Sequence, residues 1–229
     1  VVVITAHTDH LGIKDGQIYA GSIDNASGSA MLLTLGTILG QTLDRSQLQR
    51  NIILLWPTAE ESGLLGSQYF VDHVPDYVAS GLDKVVGCLN FDIGNVWGPT
   101  KSITVLGQHK SSLGDLFVKA AQQEAMTVNV DPSPGEGFYF RSDHFSFAKK
   151  QIPGVWVFVG DEFIDEPIGF YNKTIQQGYF GKVYHTPEDI YHDYYQMEGM
   201  LQMICLTTRV VFSLTKSTSL HPVCNITCV

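Results

Sequence analysis

The chain opens Val1-Val2-Val3-Ile4-Thr5-Ala6-His7-Thr8-Asp9-His10. Residues 1–6 are β-branched or apolar with no alternation, as a strand buried on both faces of a sheet requires. The run then stops at an imidazole and a carboxylate. The same event recurs twice. Residues 52–56 (Ile-Ile-Leu-Leu-Trp) are halted by Pro57 and followed by Glu60-Glu61, and the apolar run 85–91 ends at Asp92. Between and after these runs the spacing predicts helices over 30–39, 64–74, 113–126 and 198–214, and further strands over 103–106 and 155–159. In the 113–126 helix, Leu113, Leu116, Phe117, Ala120 and Ala121 recur at three- and four-residue intervals. Strands alternating with helices, several of them apolar throughout, imply an α/β chain with a mostly parallel sheet covered on both faces. In such sheets the site lies beyond the carboxyl ends of the strands. No internal repeat, low-complexity segment or second-domain boundary is visible, so 1–229 reads as a single domain, with 216–229 as a tail.

The candidate site residues are the polar ones at these breaks. His7 and Asp9 form an H-x-D, whose first and third side chains point the same way when extended. Asp9 can then accept from the far nitrogen of His7, fixing its tautomer. Asp24, in Ser-Ile-Asp-Asn-Ala-Ser-Gly, precedes the first helix, whose N-terminal amides could restrain its oxygens; an ordinary N-cap fits as well. Glu60 and Glu61 are adjacent carboxylates that raise each other's proton affinity unless cations are near, although a solvated acidic turn is the plain alternative. Asp92 sets a charge against a buried strand, which is costly without a partner. His185, in Tyr-His-Thr-Pro-Glu-Asp, is the fifth donor, or simply a turn histidine. Imidazoles and carboxylates on strand-end loops suit a divalent transition metal, and a two-metal hydrolase is the working expectation.

Taken in order, H-x-D, D-N-x-S-G, E-E, D and Y-H-T-P-x-D, with Ser142-Asp143-His144 between the last two, resemble the M28 family of zinc aminopeptidases and carboxypeptidases. The likeness runs from residue 1 to about 215. It implies a three-layer α/β/α fold and two co-catalytic zinc ions. One ion would be held by His7, Asp24 and Glu61, the other by Asp24, Asp92 and His185, with Glu60 as general base and Asp9 orienting His7. Tyr139, Arg141, Tyr179 and Tyr184 are candidates for substrate contact and for the oxyanion donor. Loops 131–141 and 161–183, with Phe138, Tyr139, Phe140, Phe170, Tyr171 and Phe180, are expected to wall the specificity pocket. The implied activity is exopeptidase, foremost aminopeptidase, on a peptide or small aminoacyl substrate. The alternatives are a carboxypeptidase or dipeptidase, a single-zinc glutaminyl cyclase-like acyltransferase, or a non-catalytic binding ectodomain. Family members carry further elements before the H-x-D strand, so the expectation is either a smaller sheet or part of a longer chain. The resemblance favours a secreted, periplasmic or envelope location.

Composition narrows the rest. A chain of 229 residues carrying a formal charge of −9 repels nucleic acid and anionic membranes, and no run reaches the roughly 20 apolar residues of a membrane span. Ser142-Asp143-His144 names three triad types, but consecutive residues cannot form the relay and no G-x-S-x-G elbow occurs. Of four cysteines, Cys88 and Cys205 read as buried thiols, while Cys224 and Cys228 form a C-x3-C that suits a local disulfide or free thiols better than a metal.

Overall fold

The computed structural model describes residues 1–75, 78 and 81–216. A six-stranded sheet forms its centre: β1 (Val2–Thr5), β4 (Ile52–Leu55), β5 (Gly87–Phe91), β6 (Ser102–Leu106), β7 (Thr127–Asn129) and β8 (Gly154–Val159), in the order β4-β1-β5-β8-β6-β7. All neighbours are parallel except β6 and β8, which run antiparallel. A small hairpin, β2 (Gly12–Lys14) and β3 (Gln17–Tyr19), stands apart from the sheet. Its tight turn uses positive φ at Asp15 and Gly16, the geometry that Asp-Gly adopts readily in two-residue hairpin loops.

The parallel strands are apolar throughout because alternate side chains feed different cores. Val2, Ile4, Leu89 and Phe91 join the larger core with Met31, Leu32 and Leu35 of α1 (Gly28–Thr42), Leu113 and Phe117 of α3 (Leu113–Gln123), and Met203, Ile204, Val210, Val211 and Leu214 of α5 (Glu198–Lys216). Val3 and Cys88 point the other way, toward Phe70 and Val71 of α2 (Leu65–Asp72) and Phe147 of α4 (His144–Ala148). Three layers follow from that alternation.

Every strand and helix expected from periodicity is present, with ends moved by a few residues. The two strands of the hairpin, β7 and α4 are added; each is five residues or shorter, too brief to show a period. The span 161–183, read as irregular, contains a wide π-type helix over Tyr171–Val183. Cys88 is buried as expected, but Cys205 is exposed on the outer side of α5. The tail and its Cys224 and Cys228 lie outside the described residues. No helix among the described residues is long and apolar enough to cross a membrane.

Candidate metal centre

The carboxyl ends of β1, β4 and β5 all open onto one spot. His7 sits two residues past β1. Its Nδ1 faces the backbone carbonyl of Asp9 at 3.1 Å, which makes that nitrogen the donor. Nε2 is thereby turned toward Asp24 Oδ1 at 3.3 Å and Asp92 Oδ1 at 3.4 Å. On the far side of Asp24, His185 Nε2 lies 3.1 Å from Asp24 Oδ2 and 3.1 Å from Glu61 Oε2. Asp24 therefore stands between two donor sets, His7–Asp24–Asp92 and His185–Asp24–Glu61.

All five expected donors converge, but their sharing differs from the one the resemblance implied, in which Glu61 went with His7 and Asp92 with His185. The register explains the difference. Thr5 pairs with Asn90, so His7 and Asp92, each two residues further on, come out level. Glu61 lies six residues past Leu55, the partner of Thr5 on the other side, and its turn carries it across to His185.

Asp9 also works differently from the expectation. Its carboxylate is 3.7 Å from His7 Nδ1 and instead accepts from the backbone amides of Glu60 (3.1 Å) and Glu61 (3.3 Å). One residue thus orients His7 through its carbonyl and anchors the Glu60-Glu61 turn through its side chain. Asp24 is not restrained by helix amides: the side-chain oxygen of Asn25 takes the amides of Gly28 and Ile93. The backbone of Asp24 is held by buried Asp189, which accepts from the amides of Ile23 (2.8 Å) and Asp24 (3.1 Å). Ser142, fully buried, donates to Asp92 Oδ2 at 2.6 Å and accepts from Asn90 Nδ2 at 2.6 Å. That use of its hydroxyl disposes of the serine-nucleophile reading. Asn25 and Asp189 are the N of D-N-x-S-G and the last residue of Y-H-T-P-x-D, so the sequence marked both positions but gave neither a role.

The electrostatics call for cations. Asp24, Glu60 and Asp92 are buried, Glu61 has a side chain only 8% exposed, and the ion pairs they make among the described residues are all with histidines. Burial opposes charge on His7, yet Asp92, Asp24 and Glu60 together hold its pKa up at about 12. His185 is raised to about 9 against its own burial by Asp24 and Glu61. Glu60 rises to about 10, first by burial and then by repulsion from Asp92. Its Oε2 lies 4.0 Å from His7 Nε2. Nitrogen and oxygen donors crowded in this way, with Glu61 Oε1 buried and lacking an aligned hydrogen bond, fit divalent zinc.

The four tyrosine and arginine candidates separate. Tyr184 stacks on the His185 ring (3.8 Å between centroids), and burial followed by the charges of Asp24 and Asp92 keeps its phenol protonated. Tyr179 is committed to Asp189, 3.3 Å away. Tyr139 is buried with its hydroxyl on the carbonyl of Gly154, at the amino end of β8 and so at the wrong end of the sheet. Arg141 is exposed and belongs to none of the ion pairs of the site. Phe138 and Phe180 meet at 5.3 Å beside Tyr184, whereas Phe170 packs on Phe163. Tyr171 helps line a separate cavity of about 570 Å³ that contains no metal-facing residue.

The profile described as Peptidase family M28 matches residues 1–207. Leucine aminopeptidase 2 of Trichophyton equinum is 30% identical over 176 residues, covering 73% of this chain and 32% of that protein. The chain thus spans about a third of the length of such curated relatives. Among solved structures, BSAP, a zinc aminopeptidase from Bacillus subtilis, superimposes with a TM-score of 0.66 at 24% identity, over 94% of this chain and 46% of that one. A glutaminyl cyclase from an Acidobacteriales bacterium gives 0.65 at 16% identity, over 94% and 69%, so the fold alone is shared with another chemistry. With a profile match over residues 1–207 added to a mostly parallel sheet whose strand ends gather these donors, the chain belongs to peptidase family M28.

Proposed function

We propose that this chain carries the catalytic core of a zinc-dependent aminopeptidase that hydrolyses the N-terminal bond of a peptide or small aminoacyl substrate. The observation that carries the reading is Asp24, whose two oxygens face different histidines, His7 at 3.3 Å and His185 at 3.1 Å, with Glu60 buried alongside. His7, Asp24 and Asp92 would hold one zinc ion; Asp24, Glu61 and His185 the other. When bound, such a pair lowers the pKa of water and polarises the scissile carbonyl. Glu60 takes the proton from the attacking water and returns it to the leaving amine, a role that typically contributes about 10²–10⁴-fold. Its position against Asp92 and His7 suits that role, since the positive charge of the ions would relieve the repulsion that otherwise keeps it protonated. The Tyr184 hydroxyl is the donor best placed for the developing oxyanion. Phe138 and Phe180 offer an apolar wall, which favours a large apolar N-terminal residue, in keeping with the leucine in the relatives' names.

The test is metal analysis paired with hydrolysis of leucyl anilide. About two zinc ions per chain, and activity abolished by chelation and restored by zinc, are expected. Metal-loaded protein that cyclises N-terminal glutamine and leaves leucyl anilide intact would overturn the assignment in favour of the cyclase reading.

A further inference from the structure

The peptide unit that joins Asp92 to Ile93 is gripped at both ends by side chains from elsewhere in the chain. Its N–H, that of Ile93, donates to Asn25 Oδ1 at 3.2 Å. Its carbonyl, that of Asp92, accepts from the indole Nε1 of Trp156 at 2.6 Å. Both bonds are buried, and Trp156 itself is 3% exposed. The grip meets a local need. β5 pairs with β1 as far as Asn90 and with β8 as far as Phe91, and Ile93 then turns away with a left-handed φ of 60°. A buried carbonyl just past the end of a ladder needs another donor, and a β-branched residue keeps that conformation only where its surroundings fix it. Trp156 supplies the donor from the neighbouring strand. It is the register partner of Asn90, whose amide donates to Ser142, which in turn donates to Asp92 Oδ2. One facing pair of residues thus secures both the carbonyl and the carboxylate of Asp92.

We infer that Trp156 is a positioning residue for Asp92: its indole N–H sets the orientation of the 92–93 peptide, and through it the aim of the Asp92 carboxylate toward His7 Nε2, 3.4 Å away. The inference rests on the zinc reading, in which Asp92 is a ligand, and adds to it a group that acts only through Asp92. A carboxylate ligand is aimed by its backbone as well as by its own torsions, and groups that hold a ligand in place are worth about 10–100-fold in metal affinity or activity. The ring and the N–H of Trp156 do separate things. The ring packs edge-on against Phe138 and Phe158, with 6.2 and 5.4 Å between centroids. Phenylalanine at this position would keep an aromatic ring there and leave the Asp92 carbonyl without its donor.

Trp156→Phe is the test, with zinc affinity measured by chelator competition at a temperature where the variant is fully folded. One of the two ions is expected to bind about 10–100-fold more weakly, and kcat on leucyl anilide in the zinc-saturated variant to fall by a similar factor with KM little changed. A role confined to packing would lower the melting temperature and leave both affinities and kcat at their parental values, and that result overturns the inference. The second readout needs no variant. With nitrogen-15 in the three tryptophan indoles, one N–H signal of the metal-free protein should resist exchange with solvent and move when zinc is added. Trp156→Phe should lack that signal. Three signals that stay put on zinc binding overturn the inference whether or not the variant folds. Unaltered protein that binds no zinc would instead refute the zinc reading from which Asp92 takes its role.

Discussion

At the scale of single residues, charge and geometry separate the proposed metal ligands from the proposed proton carrier. Glu60 and Glu61 are neighbours, yet Glu61 faces His185 at 3.1 Å and Glu60 faces His7 at 4.0 Å. Glu60→Gln keeps the shape and removes the basic oxygen. It is expected to retain zinc while kcat falls about 10²–10⁴-fold, and full turnover in a zinc-loaded variant would refute the base assignment. Ser142→Ala tests the support instead. Its hydroxyl both donates to Asp92 and accepts from Asn90 within a fully buried spot, so removal leaves a buried amide donor unpaired. The expected loss is about 1–3 kcal/mol in denaturant unfolding of the metal-free protein, with zinc affinity down about 10–100-fold. Unchanged affinity would mean that Asp92 needs no such anchor.

At the scale of elements, the site depends on how α1 begins. Gly28, its first residue, lies so close to the preceding loop that a Cβ there would sit 2.1 Å from Asn25 Oδ1 and 2.7 Å from the Phe91 carbonyl. Asn25 joins the two segments, since its amide donates to Phe91 and its oxygen accepts from Gly28 and Ile93. Gly28→Ala must therefore separate α1 from the end of β5, and with it Asp24 from Asp92. Overpacking of this kind costs about 1–3 kcal/mol, and thermal unfolding should show a lower midpoint with zinc as well as without. A midpoint at or above that of the parent would show that the loop gives way freely. Backbone strain gathers here too. Ala59, Ile93 and His185 all have left-handed φ near 60°, a cost of about 1–3 kcal/mol each that surrounding contacts must offset.

For the molecule as a whole, the proposed ligand set makes metal and protons competitors for the same groups. Without metal, His185 is held at about 9 against its ordinary 6.5 by Asp24 and Glu61. A raised imidazole pKa stabilises the fold fully below about 6.5, and that contribution is lost as pH rises through about 9. Metal-free protein should therefore lose stability across this window. Zinc requires the neutral ring, so the zinc-induced rise in melting temperature should grow over the same range. Calorimetry in buffers of different ionisation enthalpy should show protons released on zinc binding at pH 7, and fewer once pH exceeds about 9. Proton release that does not change across pH 9 would exclude His185 as a ligand.

The sequence by itself determined the class of the sheet and singled out the five candidate donors that the fold brings together. Strands such as Val2–Thr5 and Gly87–Phe91 are apolar at every position because alternate residues enter two cores, and a run of that kind is visible locally. So is a polar residue that interrupts it. Tertiary structure decided what lies beside what. The level placement of His7 and Asp92 follows from the pairing of Thr5 with Asn90, a register between segments more than eighty residues apart. The switch of Tyr139 to the far end of the sheet, the antiparallel β6 and the support of Asp24 by Asp189 are likewise contacts between distant segments, and no local spacing encodes them. His10 is the sharpest case. It sits three residues from His7 in the opening stretch, yet only the folded loop brings its ring over Gly21 and onto Glu61.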